Sequence, residues 1–319
     1  MSRTHRRRRT HWGRLALLLI FLLAAGYAAY HCFFRAPEPS GQPTQSAEPV
    51  EELTPEEEAL RSHLERKPNF YTILVSGVDD HNGGSDTNIL VAVDAASDAI
   101  YGVSIPRDTK AILNGDAHKI NYAYNSGGMS LMAATITEQL GIPVDYTVQV
   151  DLQGFVALVD AIGGVEFNVP MDMNYEDPYQ DLYIHIPKGL QRLNGENALK
   201  VVRFREGYAS QDIGRMSTQQ AFLKAAAKQT LTPANVNKID DFVKIFQSYV
   251  ETDLTLGNLA WLGKEAISMG TDAINFSTLP GEWRSPYIYL DPDAVLTLVN
   301  EHLNPYVEDR VPEDLNIPS

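Results

Sequence analysis

Twenty residues from Leu15 to Phe34, LALLLIFLLAAGYAAYHCFF, contain no Asp, Glu, Lys or Arg. As a helix such a run reaches across the ~30 Å hydrocarbon core of a bilayer. It divides the chain into a short basic end and a large remainder. Residues 1–14 hold six arginines and no acid, while acidic residues follow the run, so the positive-inside rule makes 1–14 a cytoplasmic tail and places the rest outside. A cleaved signal peptide is the other reading. The run exceeds an ordinary signal core, and no clean small-x-small site follows it, although Ala24-Ala25-Gly26 lies within it; this favours a retained anchor over 15–34.

Residues 35–68 are rich in Pro, Gln, Ser and Glu and too poor in apolar residues to build a core, which marks an extracellular linker, with Thr54 placed to cap a short helix from Pro55. Beyond it, 44% hydrophobic content over 319 residues suffices for one large core or two small ones. FYTILVSGVD (70–79), TNILVAVD (87–94) and AIYGVSI (99–105) read as strands of one sheet, and YTVQVD and GVEFNVP as two more. Helical patterns cover Ser130–Leu140, a segment from Gln153, Asn194–Phe204, Arg215–Leu231, and stretches near 235–250, 256–268 and 293–303. Strands interspersed with helices imply an α/β or α+β sandwich. The stretch Met171–Tyr183, MDMNYEDPYQDLY, is acidic and turn-rich and reads as an exposed irregular loop, with flanking an acceptor glycan as its functional alternative.

Charge narrows the function. The formal net charge is −15, and with the basic tail set aside the body is more acidic still, which argues against nonspecific nucleic-acid binding. A single cysteine, Cys32, excludes an intramolecular disulfide and any Cys/His metal cluster. Within this acidic body, Val201–Gln220 (VVRFREGYASQDIGRMSTQQ) groups Arg203, Arg205 and Arg215 around Asp212. Guanidinium forks match phosphate oxygens bidentately, so the group suits a pyrophosphate; solvated ion pairs with Glu206 and Asp212 are the ordinary alternative. The first strand ends at Asp79, and the loop DHNGGSDT returns Asp86 beside it. Two carboxylates there suit Mg²⁺, though aspartates after strands are commonly turn residues. The third strand ends in Ile105-Pro106-Arg107-Asp108, which brings Arg107 to the same sheet edge.

In order along the chain, GVDD…SDTNIL, SIPRD, KINYAY followed by GG, VDLQGF, VDAIGGV, LNG…AL and VRFRE…DIGR…QQ resemble the motifs of the LytR-CpsA-Psr family, strongly over 70–232 and more loosely in the helical tail. The resemblance implies an α/β fold with a central mixed sheet sandwiched by helices, over an extracellular catalytic domain of residues 69–309 followed by a tail, 310–319. It implies a Mg²⁺-dependent phosphotransferase on the outer membrane face that moves a glycopolymer, of teichoic acid or capsule type, from undecaprenyl pyrophosphate to peptidoglycan. Residue by residue it assigns Asp79 and Asp86 to Mg²⁺, and Arg107, Arg203, Arg205, Arg215 and Gln219 to the pyrophosphate. Arg107, the other three arginines and Asp212 form its catalytic set, with Asp212 as acceptor base or as the residue that orients Arg107 or Arg215.

Two positions depart from the pattern. Gly84 and Thr218 stand where many relatives of this kind carry Arg; Lys110, Lys119 and His81 are nearby cations. A polyprenyl donor needs an apolar groove. The helix from Gln153 and the segments around Phe222, Phe242, Phe246 and Trp261 are its candidates, ordinary core being the usual role of such residues. Two further readings stay open: a protein that binds polyprenyl phosphate or wall glycan without turnover, and a polyprenyl-pyrophosphate hydrolase.

Overall fold

The computed structural model describes residues 35–39, 65–79, 84–178, 182–208, 211–231 and 239–319, with the backbone alone for Asp79, 211–213 and 239–243. The expected membrane span and most of the expected linker lie outside these residues, among which no helix is long and apolar enough to cross a membrane.

In chain order come β1 (Phe70–Asp79), β2 (Gly84–Asp94), β3 (Ala99–Ile105), a hairpin of β4 (Lys110–Leu113) and β5 (Asp116–Lys119), and α1 (Asn121–Leu140). Next are β6 (Tyr146–Asp151), α2 (Leu152–Ala161), β7 (Val165–Val169), a hairpin of β8 (Met173–Asp177) and β9 (Leu182–Ile186), and β10 (Gly189–Leu193). The rest of the chain forms α3 (Gly195–Arg203), α4 (Gln211–Thr230), α5 (Ile239–Tyr249), β11 (Val250–Thr252), α6 (Leu256–Met269), β12 (Ile274–Thr278), a hairpin of β13 (Gly281–Arg284) and β14 (Tyr287–Leu290), and α7 (Pro292–Leu298).

The main sheet has six strands in the order β11-β6-β1-β2-β3-β12. β2 is antiparallel to β1 and β3, while β6 lies parallel to β1 and β12 parallel to β3. Four strands therefore run one way, and their carboxyl ends meet the start of β2 at one sheet edge. Ligands of open α/β sheets bind at such an edge.

Period-two alternation explains why the sheet is covered on both faces. Leu74, Leu90, Ala92 and Val103 face α1 and α7, packing on Met132, Ile136, Leu140 and Val295. Their neighbours Ile73, Val75, Val91 and Val93 face α6 through Leu259 and Leu262. A third cluster joins β7, β9, α2, α3 and α4 around Phe167, Ile184, Val201 and Phe222. Close approach of α2 and α3 within it depends on Gly195, where a Cβ would run into the Val156 carbonyl.

Several expected elements differ in extent. The helix expected over Ser130–Leu140 begins at Asn121, interrupted at Gly127 and at Gly128, whose φ of 65° and ψ of −158° are accessible to glycine alone. The stretch Met171–Tyr183, expected to be an irregular loop, contains β8 and the start of β9. β4, β5, β11, β12, β13 and β14 had no counterpart in the sequence reading. Residues 65–67 are woven into the domain, Lys67 N–H donating to the Pro305 carbonyl at 2.8 Å and Val307 N–H to the Glu65 carbonyl at 2.8 Å.

Candidate active site

β3 ends at Ile105, and Pro106 breaks its ladder so that Arg107 turns across the sheet edge towards β2. On β2 the pairing with β1 shifts register between Gly77 and Val78. That bulge re-aims the strand end and leaves Asp86 exposed between the buried Ser85 and the half-buried Thr87. Beneath it the Asn88 Oδ1 accepts from the Ser76 hydroxyl at 2.8 Å and from the Ser85 hydroxyl, all three residues being buried. This polar knot holds the bulge, and the sequence reading did not single out its members; its signal was a run of small polar residues opposite one another in otherwise apolar strands.

Three arginines converge on Asp86. Arg107 Nη1 lies 2.6 Å from Oδ1 and Arg205 Nη2 lies 3.1 Å from Oδ2, while Arg215, buried in the second turn of α4, adds its charge. Burial raises the Asp86 pKa, but the hydrogen bond and charge of Arg107, with the charges of Arg205 and Arg215, outweigh it and hold the carboxyl below its usual range. Arg203 reaches the same cleft from the end of α3. Gln219, one turn beyond Arg215 on α4, donates to the Val202 carbonyl at 2.9 Å and to the Thr87 hydroxyl at 3.3 Å, tying α4 to α3 and β2.

The remaining assignments sort by position. The backbone of Asp79 pairs with Gly84 in the β1–β2 ladder, at the same strand ends as Asp86. Asp212 lies in the first turn of α4, three residues before Arg215 and so on the same helix face. The side chains of both lie outside the described residues. Gly84 lines the cleft. Thr218 is buried, and its hydroxyl meets the Tyr208 phenol at 2.8 Å, so neither position adds a charge to the site. Lys110 and Lys119 stand beyond Asp108 rather than in the cleft, Lys119 pairing with Asp108 at 3.0 Å; His81 lies outside the described residues.

These residues head a cleft of about 790 Å³. Asp86, Arg107, Arg203, Arg205, Arg215 and Gln219 form its polar wall. Val75 and Val78 of β1, Val150 of β6, Phe155 and Leu158 of α2, Leu182 of β9 and Leu199 of α3 form an apolar one. Among the aromatic residues considered for such a groove, Phe222 is instead fully buried core against Phe155 and Phe167, and Trp261 packs edge-on against Tyr71 at 5.7 Å. Phe246 is half-buried away from the cleft, and the side chain of Phe242 lies outside the described residues. Tyr175 and Leu182, from the hairpin expected to be a loop, line the cleft. A wall of cations beside a wall of aliphatics accommodates a ligand with an anionic head and a long apolar body.

A family model described as LytR_cpsA_psr matches residues 37–304. The Bacillus subtilis polyisoprenyl-teichoic acid–peptidoglycan teichoic acid transferase TagV is 31% identical over 76% of this chain and 66% of its own length. The Bacillus cereus transferase TagU of the same description is 34% identical over 58% of this chain and 60% of its own. The matched part thus spans about two thirds or less of these relatives. The crystal structure of B. subtilis TagV superposes with a TM-score of 0.65 at 29% identity, covering 75% of this chain and 98% of that one. With that architecture and a family match running through the sheet, the arginines and the carboxylate they enclose, the chain belongs to the LytR-CpsA-Psr family.

Proposed function

We propose that this chain transfers a phosphate-linked glycopolymer of teichoic acid or capsule type from polyprenyl pyrophosphate to peptidoglycan at the outer face of the membrane that residues 15–34 span. One observation carries the reading: Asp86 gripped by Arg107 and Arg205 at the head of a cleft whose other wall is aliphatic. A prenyl pyrophosphate has that amphipathic shape. The named activities of the TagV and TagU relatives support the same donor and acceptor classes.

The chain's own residues supply binding and electrostatics. A planar guanidinium carries five N–H donors, so phosphate oxygens can join or displace the Asp86 carboxylate at Arg107 and Arg205. Arg203 and Arg215 add positive charge where the equatorial oxygens of a transferring phosphoryl group gather negative charge. The aliphatic wall covers the prenyl chain and excludes water from the leaving phosphate. Asp212, on the Arg215 face of α4, takes the proton of the attacking sugar hydroxyl in this reading. Attack on the phosphorus next to the glycan forms the new P–O bond and expels the prenyl monophosphate.

The carboxylates at the head of the cleft are of the kind that holds Mg²⁺. The ion binds through one or two carboxylates and leaves other positions to water and substrate phosphates; in this reading Asp86, whose side chain is 47% exposed at the cleft, would hold it together with Asp79, whose backbone pairs with Gly84 at the same strand ends. When bound, the ion would neutralise charge on the leaving phosphate.

The test is release of prenyl monophosphate from a synthetic prenyl-pyrophosphate glycan by the full chain, with and without Mg²⁺ and peptidoglycan fragments. Mg²⁺-dependent release coupled to glycan attachment is expected. Release with water as the only acceptor would establish a hydrolase, and binding without release would overturn the enzyme.

A further inference from the structure

Two of the hairpins outside the sheet, β4–β5 and β13–β14, build a surface that the cleft does not use. β14 docks beside the exit of β3: Ile288 N–H donates to the Asp108 carbonyl at 2.8 Å, and Thr109 bridges to Ile288. The Tyr287 phenol then donates to the Ala117 carbonyl of β5 at 2.9 Å. On this frame Trp283 is 57% exposed, and three cations lie against the rings. Lys119 sits 5.9 Å from the Trp283 centroid, and Lys110 and Arg284 each 4.8 Å from that of Tyr289. Two acids, Asp116 and Glu282, belong to the same hairpins, and Glu282 meets Arg284 only at 3.9 Å with both side chains exposed.

The surface is coupled to the arginine site. Lys119 bridges the Trp283 ring to Asp108, and Asp108 lies 3.8 Å from Arg107 Nε. Its side of the site matters for chemistry. Along the strand order the aliphatic wall of the cleft lies over β6 and β1 and Asp86 on β2, and the hairpins dock on Asp108 and Thr109 at the exit of β3. In-line phosphoryl transfer needs the attacking oxygen opposite the leaving one. With the prenyl phosphate leaving towards the aliphatic wall, the attacking hydroxyl enters from the hairpin side.

We infer that the platform of Trp283 and Tyr289 with the polar side chains around them, Lys110, Lys119 and Arg284, is the acceptor subsite, binding the glycan strand of the acceptor. A pyranose ring has an apolar C–H face that covers an indole or phenol, and a hydroxyl rim that meets Lys and Arg donors. The rim carries acids as well as cations, Asp108, Asp116 and Glu282 among Lys110, Lys119 and Arg284, so it both donates to and accepts from the hydroxyls of a sugar lying on the exposed Trp283 ring. The inference rests on the transfer reading above and adds the place where the acceptor lies.

The experiment compares the full chain with Trp283→Ala, Trp283→Phe and Trp283→Ala/Arg284→Ala. Trp283 is exposed, so its replacement leaves the core intact. Loss of one stacked ring weakens binding by roughly tenfold or more. We expect KM for disaccharide–peptide fragments of peptidoglycan to rise about tenfold in Trp283→Ala, to rise further in the double variant and to recover in Trp283→Phe, while affinity for the prenyl-pyrophosphate donor stays unchanged. An unchanged acceptor KM, or an equal loss of donor affinity, overturns the assignment. Should the wild type form no transfer product, the functional proposal fails on its own, and the platform is judged by direct binding of the same fragments, lost in Trp283→Ala if the inference holds. Exposed Trp and Tyr beside Lys and Arg also suit a bilayer surface. The emission that disappears in Trp283→Phe belongs to Trp283; its quenching by brominated lipid in reconstituted vesicles, with no response to glycan fragments, would overturn the glycan reading.

Discussion

Asp86 shows how a single carboxylate acquires its role from residues far away in sequence. Arg205, 119 positions on, and Arg107 hold its two oxygens, and together with Arg215 they keep it ionised against the partial desolvation of the cleft. Its folded-state pKa lies below the 3.8 of the free side chain, so its ionised form stabilises the fold above about pH 4 and that contribution is lost as pH falls through the lower folded value. Asp86→Asn should flatten this acid limb of stability in denaturation curves taken across pH 2–6, and should abolish transfer at neutral pH while the far-UV spectrum stays native. Tyr208 has a quieter part. Its ring packs where a Cβ at Gly214 would stand, and its hydroxyl pairs with the buried Thr218, so it fastens the loop after Arg205 to the helix carrying Arg215. Tyr208→Phe leaves the Thr218 hydroxyl without that partner and should destabilise by about 1 kcal/mol in urea titration, with kcat falling more than donor affinity. From chemistry alone the sequence offered these arginines and aspartates only as candidates, since solvated ion pairs and turns explain them equally well; it was the ordered family motifs that grouped them into one site. Ser76, Ser85 and Asn88 carry no such chemical signal, because their importance lies in facing one another across two strands.

At the scale of elements, the long strands and amphipathic helices were readable from period and composition: β1, β3, β6, α3 and α6 lie close to their expected places. Four-residue strands were not. KAIL, DAHK, GEWR and YIYL carry no local pattern that separates a strand from a turn, and they exist because each pairs with a neighbour and the pairs lean on the exit of β3. The start of β2 depends in the same way on the knot at Asn88. Asn88→Ala removes its central acceptor and strands two buried hydroxyls; a loss of about 1–3 kcal/mol in chemical denaturation is expected, with donor binding weakened because Asp86 loses its fixed position. Gly128 makes the opposite point, since the double glycine after KINYAY signals a break that the backbone then uses. Gly128→Ala should destabilise by about 1 kcal/mol or more, read from the shift in thermal midpoint.

Across the whole molecule, the ends of the domain are locked by contacts that composition conceals. Arg66, in a stretch that reads as linker, forms a 2.7 Å ion pair with Asp145 in which the two side chains are 5% and 0% exposed, and Asp145 also accepts from Thr72 N–H at 2.9 Å. Asp145→Ala leaves a buried guanidinium without its carboxylate and should cost about 3–5 kcal/mol in equilibrium unfolding, with partial recovery in Arg66→Met/Asp145→Ala. Leu315 and Ile317, in what reads as a C-terminal tail, pack on the α1 core. The sequence by itself determined the local quantities: which segments favour strand or helix, where arginines and aspartates gather along the chain, and which ordered motifs resemble the family. Those follow from short-range sterics and side-chain chemistry. Only the tertiary structure decided the strand order, the register shift at Gly77–Val78, the aliphatic wall facing the arginines and the hairpin platform beyond β3. Each of these is set by pairing and packing among residues tens to hundreds of positions apart, where the energy of any one contact depends on all the others being in place.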